Sequence, residues 1–130
     1  MISETAFYIH KELPDLKKIG LLATTGTIMT RLYHDAIWGI EIITPDEELQ
    51  EKVMNSIYGE EGIKAGYTDG SARNDILEII EVLIKEGAEA IILGCTELTL
   101  LSLKEEVPVP LIDPSQVLAE VVVKRARLQI

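Results

Sequence analysis

The chain has 130 residues, 47% of them hydrophobic and 26% charged, with a formal net charge of −10. That length suits one domain with its own core, and the charge argues against nucleic acid or an anionic membrane as partner, because phosphates are repelled at long range. No window reaches the ~18 apolar residues of a spanning helix, and one cysteine excludes an internal disulfide.

The N-terminal "MISETAFYIHKELPDLKK" has its acids early and its lysines late, the reverse of a secretion signal, so the chain reads as cytoplasmic. This stretch, with His10, reads as a helix. "KIGLLAT" (18–24) is a β-type run that ends in a threonine-rich turn, "ATTGT". The spacing of Ile28, Leu32 and Ala36 predicts one helix closing near Gly39, and "IEIIT" (40–44) predicts the next strand. A helix then starts with Thr44 as cap, Pro45 at its first position and Glu47 completing a capping box, with Leu49, Val53 and Ile57 as its stripe. "GEEGIKAGYTDG" (59–70) is a loop, too rich in glycine and charge for the core.

Apolar residues at 76, 79, 80, 83 and 84 predict a helix ending at Gly87. "AEAIIL" (88–93) predicts a strand buried on both faces, followed by "GCTEL" and a short helix. "VPVPLI" (107–112) is a short strand, and Asp113-Pro114 opens a last helix through 128. Val117, Val121 and Val122 lie on one side of it, and Lys124, Arg125 and Arg127 suit its C-terminal dipole. Alternating elements with near-continuous apolar strands predict a three-layer αβα domain over 1–130, with a parallel sheet of about four strands.

Ligands of such sheets bind beyond the carboxyl ends of the strands. Two of those ends are chemically rich, "ATTGT" and "GCTE". Hydroxyls of Thr24, Thr25, Thr27 and Thr96 and the backbone N–H groups of both turns suit a small carboxylate; neither turn has the spacing of a phosphate loop. A helix start at Cys95 would lower its thiol from about 8.5 toward neutrality. Other readings fit the same residues. A lone Cys after an apolar run is also what a buried small hydrophobe looks like, threonines cap helices, Lys64 suits a solvated loop, and Glu97 suits a first-turn acid. His10 and His34 are too far apart in sequence for a local metal-ligand cluster.

The segments "GLLATTGT", "GIEIITPDEELQ", "IYGEEGIKAG", "AIILGCTEL" and "VPLIDPSQVLAE" occur in this order in the cofactor-independent aspartate/glutamate racemases. The chain resembles the C-terminal half of that family, and aspartate racemases most. The resemblance implies one half of a two-domain fold and proton transfer at Cα of a dicarboxylic amino acid, with neither pyridoxal phosphate nor a metal. It implies that Cys95 is one of two thiols flanking the substrate. It also implies that Thr24 and Thr27 hold the substrate carboxylate, that Thr96 positions the thiol, and that Lys64 reads the side-chain carboxylate; Thr25 and Glu97 are candidates for support.

Family members are close to twice this length, and their other cysteine lies in a first-half turn this chain lacks. Three readings follow. The chain is a racemase half, inactive alone and lacking its N-terminal half; or it is a small-carboxylate binding or regulatory module; or two copies share a site with two Cys95 thiols. The helix 114–128 would then need a partner, and the isolated chain is expected to associate.

Overall fold

A computed structural model describes residues 2–128; residues 1, 129 and 130, the ends of the expected domain, lie outside the described residues. Four parallel strands form one sheet: β1 (Lys18–Leu22), β2 (Glu41–Ile43), β3 (Ile91–Leu93) and β4 (Leu111–Ile112), in the order β2-β1-β3-β4. The register pairs Lys18 with Glu41 and Leu22 with Leu93. Helices α1 (Ile2–Glu12), α2 (Thr25–Met29), α3 (Leu32–Ala36) and α6 (Pro114–Leu128) cover one face, while α4 (Glu47–Tyr58) and α5 (Ser71–Lys85) cover the other. The result is the three-layer α/β arrangement expected from the alternating elements.

Strand alternation explains why β1 and β3 are apolar at nearly every position. Ile19, Leu21, Ala90 and Ile92 enter the core under α1, α3 and α6. Leu22, Ile91 and Leu93 enter the opposite core with Val53 and Ile57 of α4 and Ile76, Ile79, Ile80 and Leu83 of α5. A strand covered on both faces has no side left for polar residues. Gly20 lets α5 approach β1: a Cβ there would stand 2.6 Å from Ile91 Cδ1 and 3.2 Å from Leu83 Cδ1.

The end of α5 follows the predicted cap. Gly87 is left-handed at φ 110°, with Gly87 N–H on Ile84 O and Ala88 N–H on Leu83 O, both at 3.0 Å, a Schellman pairing. Elsewhere local chemistry corrects the predicted boundaries. The helix expected through Ile28, Leu32 and Ala36 breaks into α2 and α3 at Arg31, left-handed at φ 57°. Thr30 donates its hydroxyl to Thr27 O at 2.9 Å just before the break, and Leu32, central to the predicted stripe, is half exposed.

Helix α4 begins at Glu47, not after Thr44. Its cap is Asp46, whose carboxylate accepts from Leu49 N–H at 2.8 Å; Pro45 restricts Thr44 to extended backbone and is itself buried ahead of the helix. The loop 59–70 is not wholly outside the core, because Ile63, in a 3-10 turn Ile63–Ala65, is only 4% exposed. The valine face of α6 divides: Val117 is buried in the α1 core, Val121 lines a groove against α1, and Val122 and Val123 face outward.

Candidate functional site at the carboxyl ends of β1 and β3

The chain leaves β1 toward β2 on one side and returns to β3 on the other, so the switch point of the sheet lies between β1 and β3. That is where open α/β sheets bind ligands. It also places the two polar turns side by side. Gly94 N–H donates to Leu22 O at 2.7 Å, and a Cβ on Gly94 would stand 3.1 Å from Ala23 Cβ. Sequence alone put both turns on one edge; only the strand order made them neighbours.

On the β1 side, Thr24 is the N-cap of α2. Its Oγ1 accepts from Thr27 N–H at 3.4 Å and shares a hydrogen bond with Thr27 Oγ1 at 3.0 Å. Thr25 presents its N–H to Met54 Sδ at 3.4 Å. Gln50 of α4 reaches across: its Nε2 donates to Ala23 O at 2.9 Å and to Thr25 Oγ1 at 3.3 Å. Gln50 and Met54 were missed from the sequence, where Gln50 is an ordinary polar residue beside the Leu49–Val53–Ile57 stripe and carries no signal of its long-range bond. Gln50→Leu is expected to cost about 1–2 kcal/mol, because Ala23 O loses its donor at a part-buried position. Urea unfolding with an unchanged slope checks this.

On the β3 side, Cys95 is extended (φ −119°, ψ 129°) and opens a 3-10 helix, Thr96–Leu101. Its thiol donates to Glu97 Oε2 at 2.9 Å, and the Thr96 hydroxyl donates to the same oxygen at 3.2 Å. Glu97 Oε1 takes Lys64 Nζ from the loop between α4 and α5 in a close ion pair. The Lys64 ammonium also lies 5.4 Å from the centre of the Tyr58 ring. Cys95, Thr96, Glu97 and Lys64 thus form one cluster, and Thr24, Thr25 and Thr27 form another on the adjoining strand end. His10 and His34, on α1 and α3, belong to neither: His10 lies against the Trp38 ring, with centroids 4.5 Å apart.

The expected lowering of the Cys95 thiol is corrected by its surroundings. Burial, and then the hydrogen bond to the Glu97 carboxylate, push its pKa up. A short 3-10 segment supplies little dipole against an adjacent anion. Glu97 moves the other way, down to about 2, held first by the Cys95 thiol and second by Lys64; Lys64 is raised, chiefly by its bond to Glu97. A carboxylate favoured as the anion in the folded state stabilises fully above its ordinary 4.5 and loses that contribution as pH falls toward about 2. The melting-temperature gap between the wild type and Glu97→Gln is therefore expected to close across that window in an acid titration.

Arg73, at the start of α5, braces the segment that follows. Its Nε donates to Leu101 O at 2.9 Å, Nη2 donates to Ser102 O at 3.2 Å, and the two Nη atoms grip Glu106 at 3.1 and 2.9 Å. These bonds satisfy the last carbonyls of the 3-10 helix, where Ser102 turns left-handed at φ 53°. Among the described residues, no group of three or more His, Cys, Asp or Glu side chains is placed to hold a metal ion. No helix among them is long and apolar enough to cross a membrane.

Comparison with known proteins agrees with the fold. A Yersinia pestis structure ascribed to an Asp/Glu racemase superposes with a TM-score of 0.83 at 33% identity, covering 96% of this chain and 54% of its own. An aspartate racemase from Picrophilus torridus gives 0.80 at 30% identity, covering 96% and 51%. An uncharacterized protein of Pectobacterium carotovorum subsp. carotovorum is 42% identical over 92 residues, 69% of this chain and 58% of that one. The chain thus spans little more than half the length of the relatives it matches. The sequence profile of Asp/Glu/hydantoin racemases matches residues 1–122, and the chain belongs to that family.

Proposed function

We propose that this chain supplies one proton-carrying face of a racemase site that interconverts the L and D forms of aspartate or glutamate without a cofactor. The observation that carries the reading is Cys95: a protonated thiol at the switch point of the sheet, beside a threonine turn and near a lysine. In this reading the Thr24 and Thr27 hydroxyls hold the α-carboxylate, Lys64 reads the side-chain carboxylate, and Thr96 steadies Glu97 beside the thiol. A base on the far side of the substrate removes the α-proton. The S–H bond of Cys95 then breaks as the new Cα–H bond forms on the opposite face, leaving a thiolate that takes the proton in the reverse direction.

Two faces need two proton carriers, since one group returning its own proton mostly regenerates the starting enantiomer. The 130 residues contain one cysteine, so the second carrier is expected from another segment or from a second copy of the chain. Aspartate is the favoured substrate, by likeness to the relatives and by the position of Lys64. Incubation with L-aspartate and L-glutamate in deuterated water, read by proton NMR and chiral analysis, tests this. The chain on its own is expected to bind aspartate and leave its α-proton in place. Exchange that disappears in Cys95→Ala would show that two copies share a site.

A second reading is favoured by the thiol's raised pKa: a protonated Cys95 is no base, and the same turns then serve a small-carboxylate binding module. Binding without exchange, even after a second racemase half is supplied, would select it.

A further inference from the structure

Lys64 is already paired with a carboxylate of its own chain. The two oxygens of Glu97 divide their partners: Oε2 takes the Cys95 thiol and the Thr96 hydroxyl, whereas Oε1 takes only Lys64 among the bonds described here. The Oε2 contacts are local, within two residues, and hold Glu97 in place whether or not Lys64 is present. The Oε1 contact joins two separate segments, 33 positions apart.

Lys64 sits on a short turn between Gly62 and the left-handed Gly66 at φ 97°. Its side chain is 44% exposed and that of Glu97 is 24% exposed. An ion pair this open to solvent is weak and exchangeable. Meanwhile Ile63 anchors the turn in the core, so the ammonium can change partners without the loop leaving the site.

We infer that Glu97 is an internal stand-in for the ligand's side-chain carboxylate, and that a dicarboxylic amino acid binds by displacing Glu97 from Lys64. This rests on the amino-acid reading above and adds a competitor that reading does not contain. A ligand with an α-carboxylate alone makes no use of Lys64 and meets no competition. A ligand with two carboxylates binds only to the fraction of molecules whose lysine is free, and its apparent affinity falls by that fraction. Glu97 is thus a positioning residue for Lys64 and Cys95, and it lowers the apparent affinity for dicarboxylic ligands by raising the threshold for occupying the lysine. The charged groups that face Cys95 are Glu97 from its own turn and Lys64 from the loop, so exchange at Lys64 also changes the charge balance beside the thiol.

Calorimetric titration of the 130-residue chain with L-aspartate and, in parallel, L-alanine tests this, with amide shift perturbation for the weaker ligand. Glu97→Gln is expected to tighten L-aspartate binding about three- to tenfold and leave L-alanine unchanged. Lys64→Met is expected to remove the preference for aspartate over alanine. A purely structural role for Glu97 would instead weaken both ligands together. If Glu97→Gln binds neither ligand, Glu97→Asp, which withdraws the carboxylate by one methylene, is expected to show the same tightening.

Aspartate affinity that is unchanged or weaker in whichever variant still binds alanine overturns the displacement. It leaves the functional reading standing. Failure of every form, wild type included, to bind either amino acid overturns the functional reading, and the displacement falls with it.

Discussion

In a site completed by a second proton carrier, Cys95→Ala is expected to slow α-proton exchange by about 10²–10⁴-fold, the range a positioned acid or base contributes. L-aspartate binding is expected to survive. The separation follows from the geometry. The threonine turn is held by Gln50 and Met54, neither of which bonds the thiol, and Glu97, the partner of Lys64, keeps the Thr96 hydroxyl on Oε2 when the thiol is removed. Cys95→Ser keeps a donor to Glu97 Oε2 but replaces a thiol by a far weaker acid, so it is expected to fall with alanine in rate while retaining stability. Single-turnover exchange in deuterated water, with binding measured on the same samples, checks both. Equal loss of binding and exchange would show that Cys95 is a packing residue whose removal disturbs the turn.

Gly94→Val is expected to destabilise the fold by about 1–3 kcal/mol, the usual cost of adding bulk to a filled interior. It is also expected to spread the two strand ends that form the site. The contacts are firm ones: a Cβ at residue 94 would stand 3.1 Å from Ala23 Cβ, 3.1 Å from Leu22 O and 3.2 Å from Leu21 Cδ1. Two of those three atoms belong to backbone or to a side chain that cannot rotate away. Gly94 does not need glycine for its backbone angle, since the glycines with positive φ are at 39, 66 and 87; it needs the space. Gly26 provides the contrast. A Cβ there meets nothing within 4 Å, so Gly26→Ala in α2 is expected to be neutral or to stabilise by up to about 1 kcal/mol through helix propensity. Urea midpoints at constant slope separate the two, and similar midpoints would sink the close-approach argument.

Much of the fold was legible in the chain because its signals are local. The apolar runs at 19–22 and 91–93 have no polar face, and such strands occur where helices cover both sides of a parallel sheet. The stripe from Ile76 to Ile84, ending at Gly87, marks α5 and its stop without reference to anything else in the protein. The boundaries that differed were decided by competition between neighbouring groups. Asp46 took the capping role from Thr44, and the left-handed Arg31 split a periodic stretch whose central Leu32 is half exposed.

The candidate site divides in the same way. Sequence by itself determined that Cys95 and the threonine-rich turn that opens at Thr24 lie at strand ends on the carboxyl edge, because each follows an apolar run. Tertiary structure decided the rest. Strand order made the β1 and β3 ends neighbours. A loop 33 residues upstream carried Lys64 to Glu97, and α4 brought Gln50 to Ala23. The protonation of Cys95 was decided there too: a helix start read from sequence predicts a lowered thiol, but burial and an adjacent carboxylate raise it. A pKa depends on which charges and how much solvent surround a group in space, and sequence spacing records neither.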